Sequence, residues 1–339
     1  MSKTFQLRKR VTNFLIFLLK LVTFTKENTF KEFEIQNIVK WSMVIVFRPF
    51  ARIRNMAWRR TIDRVESNYD RYAGFEAAAH AQAGNETYCH INGRIEKTPW
   101  AAFDDKKKRE YCDILSRFDF TSVLEVGGGE MSTMMPIMNF FGREKKYYSM
   151  DLSLNRLYHG RQEIKRRSEG EIEICKANAV SLPYPDNTFD LVYSSHCLEQ
   201  IPYHYREVIN EMLRVSRKAV VLFEPIYEMV NFPQKIYMRA ADQVRGIPRY
   251  IKSLSNVSLS DPFLLNHGTY LNRGACLIIK KANTPTVNAF KYVCPLCRTG
   301  LERQQQKLSC NRCQRIYFEF ESIPILDSKY SFFIGTNIK

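Results

Sequence analysis

Cys294, Cys297, Cys310 and Cys313 stand in two C-x-x-C pairs separated by twelve residues. Each pair bends the chain so that both thiolates face one ion, and two such pairs complete a tetrahedral four-sulfur site. Zinc suits that donor set better than iron. Four sulfurs leave no open coordination position, so the metal would be structural. A segment this short cannot build a core by itself, and metal binding would supply much of its folding energy. A second stretch, "TSVLEVGGGEMS" at residues 121–132, runs from apolar residues into three consecutive glycines. Glycines beyond a strand let the backbone approach a ligand with no Cβ in the way. Asp151 ends the next apolar segment, where a carboxylate can accept two hydrogen bonds from a ribose diol. Glycine turn and acid together point to a nucleoside cofactor. A dinucleotide fingerprint would need a third glycine, and Ser132 follows Gly127 and Gly129 instead.

These residues require a scaffold, and the 339-residue chain is long enough for two domains and a smaller piece. Residues 105–283 alternate strand and helix signals. "SVLEVG", "KYYSMDLS", "EIEICKANA", "TFDLVYSSH" and "KAVVLFEP" read as buried strands, with "GACLIIKK" as a later one. "KKKREYCDILSRF", "LNRLYHGRQEIKRR" and "YREVINEMLRVS" read as helices. Such alternation predicts an α/β Rossmann-like doubly wound sheet, with ligands bound beyond the carboxyl ends of its strands.

The wording "KANAVSLPYPDNTFDLVYSSHCLEQIP", followed by "EVINEMLRVSRKAVVLFEP", closely resembles the class I S-adenosylmethionine-dependent methyltransferases of type 11. The resemblance covers about 105–225 and implies S-adenosylmethionine as cofactor. It implies that Gly127 and Gly129 shape the turn around the methionine moiety and that Glu125 helps hold the amino group. Asp151 would bind the ribose, Asn178 and Ala179 the adenine, and Ser194 would lie near the methionine end. Met131 replaces the usual third glycine, and Asn178 the usual acid, which removes a charge-assisted bond. No catalytic side chain is assigned. His196 follows the fourth strand and could face the site, although that histidine is commonly part of the scaffold. The insert at 226–257 falls where this fold often builds a substrate cap. The wording "CPLC…LSCNRCQRIYFEFESIPIL" resembles the small zinc-ribbon family that activates tRNA, rRNA and release-factor methyltransferases. It departs from that family in having "YFEFESIP" after the knuckles. Residues 284–339 are therefore expected to form a zinc ribbon.

Residues 1–104 read as a basic, mostly helical extension without a motif. Within 1–64, fourteen Lys and Arg face four Asp and Glu, a surplus of ten in a chain of net charge +16. That surplus suits an acidic partner. "NFLIFLL" is too short to span a membrane and carries no cleavage site. It and "WSMVIVF" leave three readings: a helix lying on an anionic membrane surface, an RNA-binding surface, or a helix buried against the protein. Nine cysteines, five of them scattered singly, do not form a disulfide framework. Cys89, Cys112, Cys175, Cys197 and Cys276 read as core residues of a protein in the reducing cytoplasm, peripheral to the membrane if the surface helix holds. The methyl acceptor stays open between RNA and a saccharide or lipid-linked molecule. A non-catalytic binding scaffold is the rival reading, and a nicotinamide oxidoreductase is disfavoured by Ser132. The purified chain is expected to carry one zinc per molecule by metal analysis, and Cys310→Ser to lose it. A metal-free protein purified under reducing conditions would contradict the four-sulfur site.

Overall fold

The structure, a computed structural model, describes residues 61–71, 73–74, 86–167, 170–270, 272–281 and 290–335. The apolar segments of the first sixty residues, and the boundary expected near 284, lie outside these. The central strand is β3 (Ser122–Val126). It pairs in parallel with β4 (Lys146–Asp151) on one side and β6 (Phe189–Ser195) on the other. Beyond β4 lies β5 (Ile172–Ala177), and beyond β6 lies β7 (Ser216–Glu224), both parallel to their neighbours. Next comes β11 (Ala275–Lys281), antiparallel to β7, then the short edge strand β8 (Val257–Leu259). The order β5-β4-β3-β6-β7-β11-β8, with one reversed strand, is that of the class I methyltransferase fold. Each strand predicted from the apolar runs is present.

Alternation along the strands divides the core. Leu124, Val126, Val192, Val220 and Leu222 pack on one face of the sheet, with Val208 and Met212 of the helix Tyr205–Val215. Val123, Leu191, Tyr193, Val221 and Phe223 face the other side. There they meet Tyr111 of the helix Trp100–Leu115, Met134 of Met134–Phe141 and Leu157 of Leu154–Arg167. Period-2 strands buried on both faces are what a doubly wound sheet requires. Asp190, 1% exposed, fastens the amino ends of the central strands. It accepts from the backbone N–H and hydroxyl of Thr121 at 2.7 and 2.9 Å and pairs with Arg217 of β7.

The described part of the N-terminal extension is not wholly helical. One helix spans Ile62–Arg71, but β1 (Glu86–Ile91) and β2 (Arg94–Pro99) form a hairpin. Its two-residue turn is Asn92-Gly93, both at positive φ, the combination that matches strand twist. β10 (His267–Thr269) adds a third strand to it. Within the insert after β7, the helices Phe232–Ala240 and Ile247–Lys252 form, the second capped by Gly246 and carrying Pro248 in its first turn.

The C-terminal module consists of β12 (Glu302–Gln304), β13 (Lys307–Cys310), β14 (Arg315–Phe320), β15 (Ile323–Leu326) and β16 (Phe332–Phe333). It does not stand apart. β15 pairs in parallel with β5 through Ile325–Lys176 and Leu326–Ala177, extending the central sheet. Leu308, Cys310 and Tyr317 join the same core as β4 and β6. Arg161 donates to the Ser322 carbonyl at 2.8 Å from the facing helix.

Removing one partner of a buried ion pair leaves the other uncompensated and costs about 3–5 kcal/mol. Asp190→Ala is therefore expected to lower the unfolding free energy by roughly 3 kcal/mol in urea denaturation. A loss below about 1 kcal/mol would show that the Asp190 pairing contributes no more than a surface contact.

Candidate functional site

The sheet order reverses between β3 and β6, and a cleft opens there beyond the carboxyl ends of the strands. Chain direction and topology fix this position, since neighbouring loops diverge at such a point. Of the residues picked from the sequence, Glu125, Gly127, Asp151, Asn178 and Ala179 line the cleft. Gly129 and Ser194 stand behind it. Gly129 donates its N–H to Asp151 Oδ2 at 2.9 Å, and buried Ser194 donates its hydroxyl to Glu224 Oε1 at 2.8 Å.

Asp151, 8% exposed, ends β4. Its Oδ1 accepts the Ser153 N–H at 2.8 Å, so a backbone donor orients each carboxylate oxygen. Burial raises its pKa, against the opposing pull of Arg156 and those two N–H groups. Carboxylate oxygens have two lone pairs each, leaving acceptor capacity toward the cleft. Gly127 has φ +81°, and a Cβ there would lie 2.6 Å from Cys197 Sγ. At Gly128 a Cβ would meet Ser149 Oγ at 2.0 Å and Glu125 Oε2 at 2.9 Å. The middle glycine is thus the most tightly constrained, although spacing alone singled out its two neighbours. Met131, in place of the third glycine, sits at φ +59° and is fully buried. The space a glycine would give is provided from the opposite side by Gly160, where a Cβ would lie 2.3 Å from Met131 Cε.

Several lining residues carried no signal in the sequence. Ile62, Val65, Glu66 and Tyr69 of the helix Ile62–Arg71 cover the cleft from the motif-free extension. Lys107 reaches it from the helix Trp100–Leu115. Cys197, expected as core, lies on its wall, whereas Cys89, Cys112, Cys175 and Cys276 are buried. His196, at φ +55°, also lines the cleft. Its Nδ1 lies 3.4 Å from Glu199 Oε1 and 3.4 Å from Asn272 Nδ2. Gln243 Nε2 fixes Glu199 by donating to its Oε2 at 2.8 Å. Glu224, at the end of β7, is fully buried, and its Oε1 accepts the N–H groups of Cys197 and Leu198 at 3.0 and 3.2 Å. Burial, foremost, pushes its carboxyl up to about 7.

In the C-terminal module the four cysteine Sγ atoms lie within 4.8 Å of one another. Cys297 and Cys310 are 3.4 Å apart, and all four are free of disulfides. Sulfurs at about 2.3 Å from a tetrahedral zinc would be about 3.8 Å apart. The Cys313 N–H points at Cys310 Sγ at 3.3 Å, the backbone support a thiolate knuckle needs. Donor type and spacing both fit such an ion. No helix among the described residues is long and apolar enough to cross a membrane.

Residues 124–223 match the protein family described as a methyltransferase domain. The demethylmenaquinone methyltransferase of Anoxybacillus flavithermus is 32% identical over 120 residues, covering 34% of this chain and 50% of that protein. That of Listeria monocytogenes serovar 1/2a is 35% identical over 112 residues, covering 33% and 47%. The chain thus spans about half the length of the curated relatives it matches. The crystal structure of the [4+2]-cyclase SpnF aligns with a TM-score of 0.48 at 15% identity, over 66% of this chain and 98% of that one.

The raised Glu224 carboxyl gives a pH signature. Below pH of about 4.5 the group is protonated in both states. Between there and about pH 7 the unfolded state ionises while the folded state does not, so stability declines as pH rises. Glu224→Gln is expected to flatten that decline in urea titrations across the interval, and an unchanged slope would contradict it. By its sheet order, the centre of this chain has the class I methyltransferase fold, and its residues 124–223 are similar to the methyltransferase domain family.

Proposed function

We propose that the protein is an S-adenosylmethionine-dependent methyltransferase with a structural zinc in its C-terminal module. Asp151 carries the reading: a buried, backbone-oriented carboxylate at the end of β4 facing a cleft whose turn admits no side chain at Gly128. In this reading Asp151 takes the ribose hydroxyls, and Asn178 and Ala179 flank the adenine. The glycine turn, Gly127 to Gly129, accommodates the methionine moiety, with Glu125 toward its ammonium group and Ser194 supporting that end through Glu224. The bound cofactor supplies a methyl group already activated by its sulfonium. The chain therefore has to hold the acceptor close and in line, the main source of rate in such a displacement. For a hydroxyl acceptor, His196 is the group on the cleft wall placed to take the proton. Glu199, held by Gln243, would stabilise the imidazolium.

The family match spans residues 124–223, which include the cleft-lining Glu125, Gly127, Asp151, Asn178 and Ala179, and it does not determine the acceptor. The acceptor is a saccharide, a lipid-linked molecule or an RNA. The positive surplus of residues 1–64 supports a lipid-linked or RNA acceptor, since both are polyanionic or surface-bound. Cosedimentation with anionic liposomes, against retention of tRNA or rRNA fragments, separates the two.

Asp151→Ala removes two charge-assisted hydrogen bonds, worth about 1.5–3 kcal/mol, or roughly 10- to 150-fold in affinity. Calorimetry with S-adenosylhomocysteine is expected to show that loss in a variant whose circular dichroism is unchanged. Equal affinity would remove the ribose assignment, and preference for a nicotinamide dinucleotide would remove the methyltransferase reading.

A further inference from the structure

The four-cysteine module holds two elements that border the cleft. The first is the loop after β5, whose residues Asn178, Ala179 and Val180 line the cleft. Immediately beyond them the Ser181 hydroxyl donates to the carbonyl of Pro295, inside the first C-x-x-C pair. The Val293 N–H donates to the Pro183 carbonyl at 3.0 Å. Arg298, one residue past the knuckle, forms a two-pronged bond to Glu211 at 2.8 and 2.9 Å. Glu211 in turn accepts the Leu182 N–H at 2.8 Å. The knuckle thus grips residues 181–183 from three directions.

The second is the helix Ile62–Arg71, which covers the cleft. Its Glu66 is 4% exposed. From the module, Tyr330 donates to Glu66 Oε1 at 2.7 Å and Lys329 to Oε2 at 3.1 Å, while Lys329 also reaches Asp63 at 2.7 Å. Lys176, buried at the end of β5, pairs with the same Glu66 and sits 4.6 Å over the Tyr330 ring. Between the two elements, β15 is hydrogen-bonded to β5 itself, at Lys176 and Ala177.

We propose that the module braces the cofactor site from behind: the cysteine knuckle positions the adenine-side loop, and Lys329 with Tyr330 positions the covering helix. Filling the metal site and filling the cleft are then thermodynamically coupled. Arg298, Lys329 and Tyr330 are positioning residues: Lys329 and Tyr330 hold the lining residue Glu66, Arg298 holds the loop beyond Val180 through Glu211, and none of the three lines the cleft itself. The inference rests on the methyltransferase reading for the identity of the ligand. Coupling between linked sites is ordinarily on the order of 5- to 150-fold and acts equally in both directions. Metal therefore tightens cofactor binding, and cofactor tightens metal binding by the same factor.

The experiment uses the full chain loaded with zinc and measures S-adenosylhomocysteine affinity by calorimetry. Arg298→Met and the double variant Lys329→Met, Tyr330→Phe are compared with the parent, with zinc content verified in each. Both are expected to bind roughly 5- to 10-fold more weakly, at the lower end of that range. In a second measurement a chromophoric chelator competes for zinc with and without S-adenosylhomocysteine. The ligand is expected to raise the chelator concentration needed for half removal by a similar factor. Variants that bind as the parent does, with chelator competition indifferent to ligand, overturn the coupling and leave the cofactor assignment standing. A zinc-loaded parent that binds no S-adenosylhomocysteine overturns the cofactor assignment, and the inference with it.

Discussion

Parallel pairing of β3 with β4 and β6 is the constraint on which the rest depends. The registers place Glu125 beside Ser149 and Tyr193, and Val126 beside Met150 and Ser194. Strands that run the same way end at the same side, so their terminal side chains and following loops converge on one rim. A parallel connection must cross over through a helix, so the chain is forced to leave that rim each time. Glu125, Asp151, Asn178, His196 and Glu224 are scattered over a hundred residues, yet one geometric rule collects them. Asp190, tying the opposite ends of the strands, keeps this alignment from shearing.

Three carboxylates end up buried on the rim, with exposures of 2% for Glu125, 8% for Asp151 and 0% for Glu224. Burying a carboxylate is costly unless donors replace water. Asp151 and Glu224 receive backbone N–H groups from the turns they support, so the same bonds that orient the turns also stabilise the acids. The resulting electronegative rim suits a ligand carrying a sulfonium and an ammonium group, as the proposed cofactor does. Glu224, buried most deeply, is the one whose carboxyl is pushed up to about 7, chiefly by that burial.

What the sequence disclosed was local. Apolar runs of strand length, a triple glycine and an acid at a strand end are written in consecutive residues, and they located β3, β4, β5, β6, β7 and β11 together with Gly127 and Asp151. The four-sulfur spacing was equally local. What it withheld was long-range. Nothing in "IDRVESNYDR" announces a cover for a cleft sixty residues away, because its Glu66 acquires meaning only from Lys176 and Lys329. Gly160 looks like an ordinary helix interruption until Met131 is found against it. Even the hairpin in the extension had a readable Asn-Gly turn, overlooked amid a basic composition that suggested helices. Ser194 stands in the expected place in the chain but one layer behind the cleft, a distinction that strand alternation makes and wording does not.

The pairing of β15 with β5 has a consequence for solubility. A sheet that stopped at β5 would expose a row of unpaired amide and carbonyl groups on a strand rich in Ile and Cys. Such an edge is a template on which another chain can add a strand. β15 occupies it, and the antiparallel ribbon beyond moves the free edge out to β12, which is three residues long and reads Glu302-Arg303-Gln304. A short, charged strand is a poor template for growth. The C-terminal module therefore guards the central sheet against its own kind, and a chain cut after β11 would bare the adhesive side of β5 to every neighbouring copy.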